Sequence, residues 1–297
     1  MIEYPVTRLQ GAARRRHRRL RARIMRHLHK RSGEGLVSRA NLLVRWLSGK
    51  ERTFHYDSAA GLYSMRENGQ EHWFSSPHRI WTTFDGLAAR ATDLRGQYVL
   101  DGVPFEEDDW IVDIGANIGD LSLCFRGLES GASMSVNFIA FEPSPKEFAA
   151  LERNLAANPA LASHECHNLA LWSDDSEALT FYVKSEEADS SLIPITGATH
   201  KIKVPTARLD HVLPKRTYKL LKLEAEGVEP EILEGATEIL PHFRFITADL
   251  GFERGTELDS TLPQVTNFLL QRGFEVVGYE GSRHVVLFRN TNPPPEA

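Results

Sequence analysis

Short, nearly uninterrupted apolar runs recur along the chain and read as buried strands: "WIVDIG" (110–115), "VNFIAFE" (136–142), "YKLLKLE" (218–224) and "FRFITADL" (243–250), with the more polar "HECHNLAL" (164–171) as a further strand between the second and third of these. Stretches of helical period separate them. Residues 117–127 are one, and "SPKEFAALERNLAAN" (144–158) is a second, with Ser144 at the N-cap, Pro145 at N1 and Glu147 at N3 predicting a capping box. "EPEILEGATEIL" (229–240) and "TLPQVTNFLLQRG" (261–273) complete the set. "EALTFYV" (177–183) and "IKVPTARLDHVL" (202–213) predict a small antiparallel insertion, while "FEVVGYE" (274–280) and "HVVLFRN" (284–290), joined across Gly281 and Ser282, predict a closing hairpin. Strands alternating with helices and ending in a hairpin imply an α/β domain with a mostly parallel sheet and an antiparallel edge.

Upstream the pattern changes. Residues 14–31 place Leu20, Ile24, Met25 and Leu28 at helical spacing among arginines, and Leu36, Ala40, Leu43, Val44 and Leu47 repeat that spacing, so two short helices precede the core. Residues 53–109 are mixed, with four aromatics in "WFSSPHRIWTTF" and a turn at "DGVPFEEDD", and read as a cap leading into the first core strand. The expected division is a basic helical extension (1–52), a cap and entry segment (53–109), the main domain (110–290) and a tail (291–297).

The net charge of -5 conceals a split: residues 1–52 hold 15 of the 35 basic side chains and three acids, whereas the other 245 residues carry 20 basic and 37 acidic groups. An acidic main domain argues against a nucleic-acid substrate, because a polyanion needs a positive face. For the basic segment 14–31 three uses remain open: a solvated arm packing on the acidic body or on a second subunit, peripheral contact with an anionic membrane, or nucleic-acid contact. No run approaches the roughly 18 uncharged apolar residues of a spanning helix. The N-terminus lacks the apolar core of a signal peptide, and Cys124 and Cys166 form no CxxC or Cys/His cluster. A cytoplasmic location is therefore expected.

The first strand runs into Gly115-Ala-Asn117-Ile-Gly119, the place where an open α/β sheet cradles its ligand. Dinucleotide sites need GxGxxG, and this spacing differs. Asp113, at the strand end, would repel pyrophosphate, while Glu142 at the end of the second strand can accept from both ribose hydroxyls. A nucleoside ligand without phosphate and with a cationic amino-acid portion satisfies both acids. S-adenosylmethionine is such a ligand. Taken singly, each acid could instead cap the helix that follows it.

"VDIGANIG", "FEPSP" and "LKLEAEGVEPEILEGA" resemble the signatures of FkbM-type S-adenosylmethionine-dependent methyltransferases, over about Gly102 to Phe288. The resemblance implies the class I methyltransferase (Rossmann-like) fold, a seven-stranded sheet of order 3-2-1-4-5-7-6, and methylation of hydroxyl oxygens of sugars or secondary metabolites. It assigns Asp113, Gly115, Asn117 and Gly119 to the loop around the methionine portion, Glu142 to the ribose, and Asn168, Ala170 and Leu171 to the adenine. The sequence departs at Glu224, where the family usually has Asp.

For the chemistry, Glu224 and Glu226 at the end of the fourth strand and Asp249 at the end of the fifth are expected to face one cleft, with Glu229 nearby. They can accept protons, hydrogen-bond the substrate or jointly hold Mg²⁺; direct carboxylate roles are favoured over a metal. Lys222, two residues before Glu224, is either catalytic or an ion-pair partner. Ser190 and Ser191 match a family loop position or simply form a polar turn. The Pro-Pro-aromatic element of base amino-group methyltransferases is absent after the fourth strand, and "NPPP" lies in the tail, which disfavours nucleic-acid methylation. The leading expectation is an O-methyltransferase acting on a small molecule, sugar or glycan. Its rivals are a non-catalytic S-adenosylmethionine-binding domain recruited by the basic arm and, weakened by the glycine spacing, a dinucleotide oxidoreductase.

Overall fold

The computed structural model describes residues 32–47, 52–128, 133–176, 178–184 and 190–293. The helix expected over 14–31 lies outside them. In chain order the elements that matter here are helix α1 (Gly33–Leu47), strands β1 (Arg52–Asp57), β2 (Leu62–Glu67) and β3 (Gln70–Phe74), helix α2 (Leu87–Gln97), β4 (Trp110–Ile114), β5 (Val136–Phe141), α3 (Pro145–Ala156), β6 (Leu161–His167), β7 (Ala170–Leu171), β8 (Ala178–Val183) and β9 (His200–Ala207). There follow β10 (Tyr218–Leu223), α4 (Glu229–Glu234), β11 (Phe243–Asp249), β12 (Phe252–Arg254), β13 (Asp259–Ser260), α5 (Leu262–Leu270), β14 (Phe274–Glu280) and β15 (Val285–Asn290).

The main sheet has the spatial order β14-β15-β11-β10-β4-β5-β6. Counting only its seven strands along the chain, this is the expected 3-2-1-4-5-7-6. Strands β6, β5, β4, β10 and β11 run parallel, and β15 pairs antiparallel with both β11 and β14. Central strands buried on both faces explain why their sequences are continuous apolar runs. On one face Val112, Ile114, Leu221, Leu223 and Ile246 pack with Ile232 and Leu233 of α4 and Val265 and Leu269 of α5. On the other, Ile111, Phe138, Leu220 and Leu287 pack with Leu94 of α2, Leu121, and Leu151 and Leu155 of α3. The result is three layers.

Three expected elements come out differently. The helix predicted over 117–127 is a 3₁₀ turn, Asp120–Phe125, whose Ser122 hydroxyl donates back to the Gly119 carbonyl at 2.8 Å. Such local back-bonding favours the tighter turn over an α-helix. The third strand breaks at Asn168, whose amide donates to the carbonyls of Glu142 and Pro143 at 2.8 and 3.2 Å. The capping box does not form at α3: the Ser144 N–H donates to Glu142 at 2.8 Å, and its hydroxyl donates to Glu147. Glu147 also accepts from Ser75 at 2.7 Å, so a neighbouring segment has taken the carboxylate that would have closed the box.

Over the stretch read as a cap, β1, β2 and β3 form an antiparallel meander. Leu36, Val37, Ala40 and Val44 of α1 pack with Phe54, Met65 and Phe74 of this sheet, and that core is continuous with Ile118, Leu123 and Ala150 of the main domain. The joint is made specific by Asn154 on α3, which is wholly buried. Its amide donates to the carbonyls of Trp73 and Ile118 at 2.8 and 2.6 Å and accepts from the Trp73 N–H at 2.7 Å. Asn154→Ala would leave these backbone groups buried without partners. It is expected to destabilise the protein by about 3 kcal/mol, read as a lowered urea midpoint at unchanged slope.

Candidate active site

A cavity of about 760 Å³ opens beyond the C-terminal ends of β4, β5 and β10, where the strand order of the sheet reverses. Its floor is the turn after β4. Gly115 has φ of 67° and Asn117 φ of 50°, and a Cβ built on Gly115 would lie 1.8 Å from the Glu224 carbonyl oxygen. Only glycine permits this contact between the turn and the chain leaving β10.

Asp113 and Lys222 are neighbours in the β4–β10 register and are both buried. Lys222 Nζ lies 3.1 Å from Asp113 Oδ1 and 3.1 Å from Glu224 Oε2, and donates to the carbonyls of Ile114 and Gly115 at 3.1 and 2.7 Å. Burial opposes its charge, but Asp113, Tyr98 and Glu224 together raise its pKa, so it stays an ammonium. An ammonium with this many acceptors has no lone pair for proton transfer. Of the two readings of Lys222, the ion-pair partner accords with its surroundings. Burial pushes the Asp113 carboxyl up to about 6 against the pull of Lys222, and its Oδ1, beside the cavity, has no aligned hydrogen-bond donor among the described residues.

Glu142 lines the cavity with each oxygen taking one backbone N–H, from Ser144 and from Asn117, both at 2.8 Å. The capping and ligand-binding readings are therefore compatible: a carboxylate has about four lone-pair sites, and two remain. Burial pushes this carboxyl up to about 7. Ala170 and Leu171 line an apolar wall with Phe141 and Leu169. Asn168 does not line the cavity; its amide ties the Glu142–Pro143 backbone, as described above. Nor does Gly119, where a Cβ would meet Leu151 Cδ1 at 2.8 Å, so this glycine serves the packing of α3.

Glu224 is enclosed by donors. The Tyr98 hydroxyl donates to Oε2, and Arg283 reaches Oε1 at 2.5 Å. Burial would raise its pKa, yet Lys222 and Arg283 hold the carboxyl down at about 2. The same burial, with Glu224 alongside, raises the Tyr98 phenol well above its ordinary range, so Tyr98 is a donor only. Thr247 on β11 fixes the residue by donating to the Tyr98 carbonyl at 2.7 Å. Asp249 is buried away from the cavity lining, held by Arg283 Nε at 2.8 Å and the Gly251 N–H at 3.3 Å. It shares Arg283 with Glu224, so it stands behind that lining arginine rather than on the cavity surface itself. Glu229 is buried as well, accepting from the N–H groups of Ala225 and Gly227 at 2.8 and 3.2 Å and from the Thr261 hydroxyl at 3.0 Å. Glu226 lines the cavity on a turn with φ of 54°. Ser190 lines it too, whereas Ser191 is buried and donates to the Glu226 carbonyl at 2.9 Å. Among the described residues no three His, Cys, Asp or Glu side chains converge to hold a metal ion.

Several lining residues were not foreseen. Tyr98, Arg79 and Arg90 come from the cap, Arg283 from the hairpin turn, Glu253 from β12, and Phe181 and Ile202 from the β8–β9 insertion. Arg79 donates to the Asn117 amide oxygen at 2.9 Å, and Arg90 binds Asp120, which also takes buried His72 at 2.7 Å. The arginines, Tyr98 and Glu253 carried no sequence signal beyond their charge or aromaticity, whereas Phe181 and Ile202 lay in the expected insertion without a sign that it reaches the cavity.

Residues 113–276 match the Methyltransferase FkbM domain, a span that contains the strand-end acids just described. The chain belongs to the FkbM methyltransferase family. Its domain is that of an S-adenosylmethionine-dependent methyltransferase. The chain is 28% identical to Methyltransferase 1 of Beauveria bassiana, over 46% of this chain and 61% of that protein. It is 26% identical to the 31-O-demethyl-FK506 methyltransferase FkbM of Streptomyces tacrolimicus, over 61% and 78% of the two chains. With the hexuronic acid methyltransferase AglP of Haloferax volcanii it shares 27% identity, over 54% and 65%.

Gly115→Ala combines a forbidden contact with an unfavourable φ. It is expected to weaken S-adenosylhomocysteine binding at least tenfold by calorimetry and to lower the melting temperature.

Proposed function

We propose that the protein transfers a methyl group from S-adenosylmethionine to a hydroxyl of a small molecule, sugar or glycan. The observation that carries this reading is the meeting, in one cavity, of a phosphate-averse nucleoside end and a hydrogen-bonding end. The first is Asp113, the Gly115–Asn117 turn and Glu142; the second is Tyr98, Glu224 and Arg283. Asp113, lining the cavity with an oxygen that is ion-paired with Lys222 but has no aligned hydrogen bond, suits the methionine ammonium. Glu142, with two lone-pair sites to spare, suits the ribose hydroxyls, and the apolar Phe141, Ala170 and Leu171 suit adenine. When bound, S-adenosylmethionine supplies an activated methyl group on a sulfonium.

In this reading residues 53–109 are the cap that closes the site through Arg79, Arg90 and Tyr98. Holding the acceptor oxygen in line with the methyl is worth roughly 7–11 kcal/mol, more than the ~3–5 kcal/mol of a general base, so positioning dominates. Glu224, a carboxylate at all working pH and already bound to Arg283, Tyr98 and Lys222, orients donors around the acceptor and is a weak proton acceptor. Relatives named for 31-O-demethyl-FK506 and for hexuronic acid methylation support an oxygen acceptor on a small molecule or sugar.

Two measurements test this. Radiolabelled methyl transfer to a panel of alcohols, sugars, uronic acids, amines and thiols should yield methyl ethers; methylation confined to carboxylates, nitrogen or sulfur would overturn the assignment. Glu142→Ala should weaken S-adenosylhomocysteine binding by about 10- to 100-fold, from the loss of charge-assisted ribose hydrogen bonds. An unchanged dissociation constant would remove Glu142 from the site.

A further inference from the structure

The cavity holds more carboxylates than hydroxyl methylation needs, and most are already engaged. Asp113 pairs with Lys222, Asp120 with Arg90 and His72, Glu142 with two backbone amides, Glu147 with the hydroxyls of Ser75 and Ser144, and Glu224 with Tyr98, Lys222 and Arg283. Glu253 differs. It lines the same cavity, and its carboxylate has no hydrogen bond or ion pair among the described residues, whereas Glu226, which also lines the cavity, has a partner of its own. Its place is fixed nonetheless. It lies in the middle of β12, which pairs with β13, and the adjacent Arg254 donates to both Glu231 oxygens at 2.9 and 2.6 Å and to the Gly227 carbonyl, three residues beyond Glu224.

We propose that Glu253 is the general base that takes the proton of the acceptor hydroxyl. This role rests on the hydroxyl-methylating reading above. As the oxygen–methyl bond forms and the methyl–sulfur bond breaks, sulfur keeps the electron pair as a neutral thioether, the hydroxyl proton passes to Glu253, and Glu253 then releases it to solvent. The surroundings suit the task. Burial raises the Glu253 carboxyl, Asp249, Glu224 and Glu229 repel its charge, Arg283 alone among the nearest groups opposes them, and the carboxyl stands at about 8. A base with a pKa near working pH combines availability with proton affinity. Glu224, held at about 2, lacks that affinity. Proton uptake also removes a negative charge from beside Glu224 and Asp249.

The test compares wild type, Glu253→Gln and Glu224→Gln on a hydroxyl acceptor identified by the panel. The raised pKa sets the sign: Glu253 is protonated and inactive below about pH 8 and becomes competent above it, so wild-type kcat/KM should rise through that range. Glu253→Gln should lower kcat by roughly 10²- to 10⁴-fold and abolish that rise, with S-adenosylhomocysteine affinity by calorimetry within about twofold of wild type. Glu224→Gln should keep the pH-dependent rise. A Glu253→Gln enzyme with wild-type kcat or an intact acidic limb overturns the assignment while leaving hydroxyl methylation standing. A wild type that methylates no hydroxyl on the panel removes both. Independently of turnover, the carboxyl ¹³C resonance of Glu253, assigned by its loss in Glu253→Gln, should titrate near 8; a midpoint below 6 also overturns the proposal.

Discussion

One buried cation holds the centre of this domain together. Lys222 lies almost wholly buried on the middle strand of the sheet, and its charge is tolerable only because Asp113, Glu224 and the carbonyls of Ile114 and Gly115 surround it. The ammonium therefore binds the end of β4, the turn after it and the exit of β10 into one unit. A site that must hold a nucleoside against a reacting group needs that rigidity, since sub-ångström placement decides the rate of an in-line displacement. The same cation sets the local electrostatics, pulling Asp113 below where burial alone would leave it and holding Glu224 ionised.

A second charged cluster couples the N-terminal meander to the same turn. Asp120, one residue past Gly119, gathers His72 from β3 and Arg90 from α2, while Arg79 spans from Asp120 to Asn117. The charge of Arg90, the hydrogen bond to His72 and the charge of Arg79 pull the Asp120 carboxyl far below its ordinary value despite burial, while burial lowers the pKa of His72 itself. Together with the Asn154 bridge to Trp73, the cluster makes the cap part of the wall of the cavity.

The strand ends were legible because strands buried on both faces read as apolar runs, against which a terminal acid such as Asp113 or Glu142 stands out. Gly115 was legible for a related reason, since a glycine directly after such a run signals a turn that no side chain can enter. Gly119 and Asn168 show the limit of the same reading. Each sits where a ligand contact was expected, but Gly119 accommodates Leu151, and Asn168 spends its amide on the carbonyls of β5's exit. Asp249 likewise ends a strand, yet its carboxylate is taken up by Arg283, which it shares with Glu224.

By itself the sequence determined the alternation of elements, the direction of the central strands and the polarity of the first two strand ends, because periodicity, apolar runs and turn residues act locally. Tertiary structure alone decided which side chains share the cavity and in what protonation state. Tyr98 and Glu224 lie 126 positions apart, and Arg283 comes from the opposite end of the chain. Their pairing, and the freedom it leaves to Glu253, depends on burial and on neighbours that only the folded sheet brings within a few ångströms, where desolvation and Coulomb interactions become strong enough to separate one carboxylate from another.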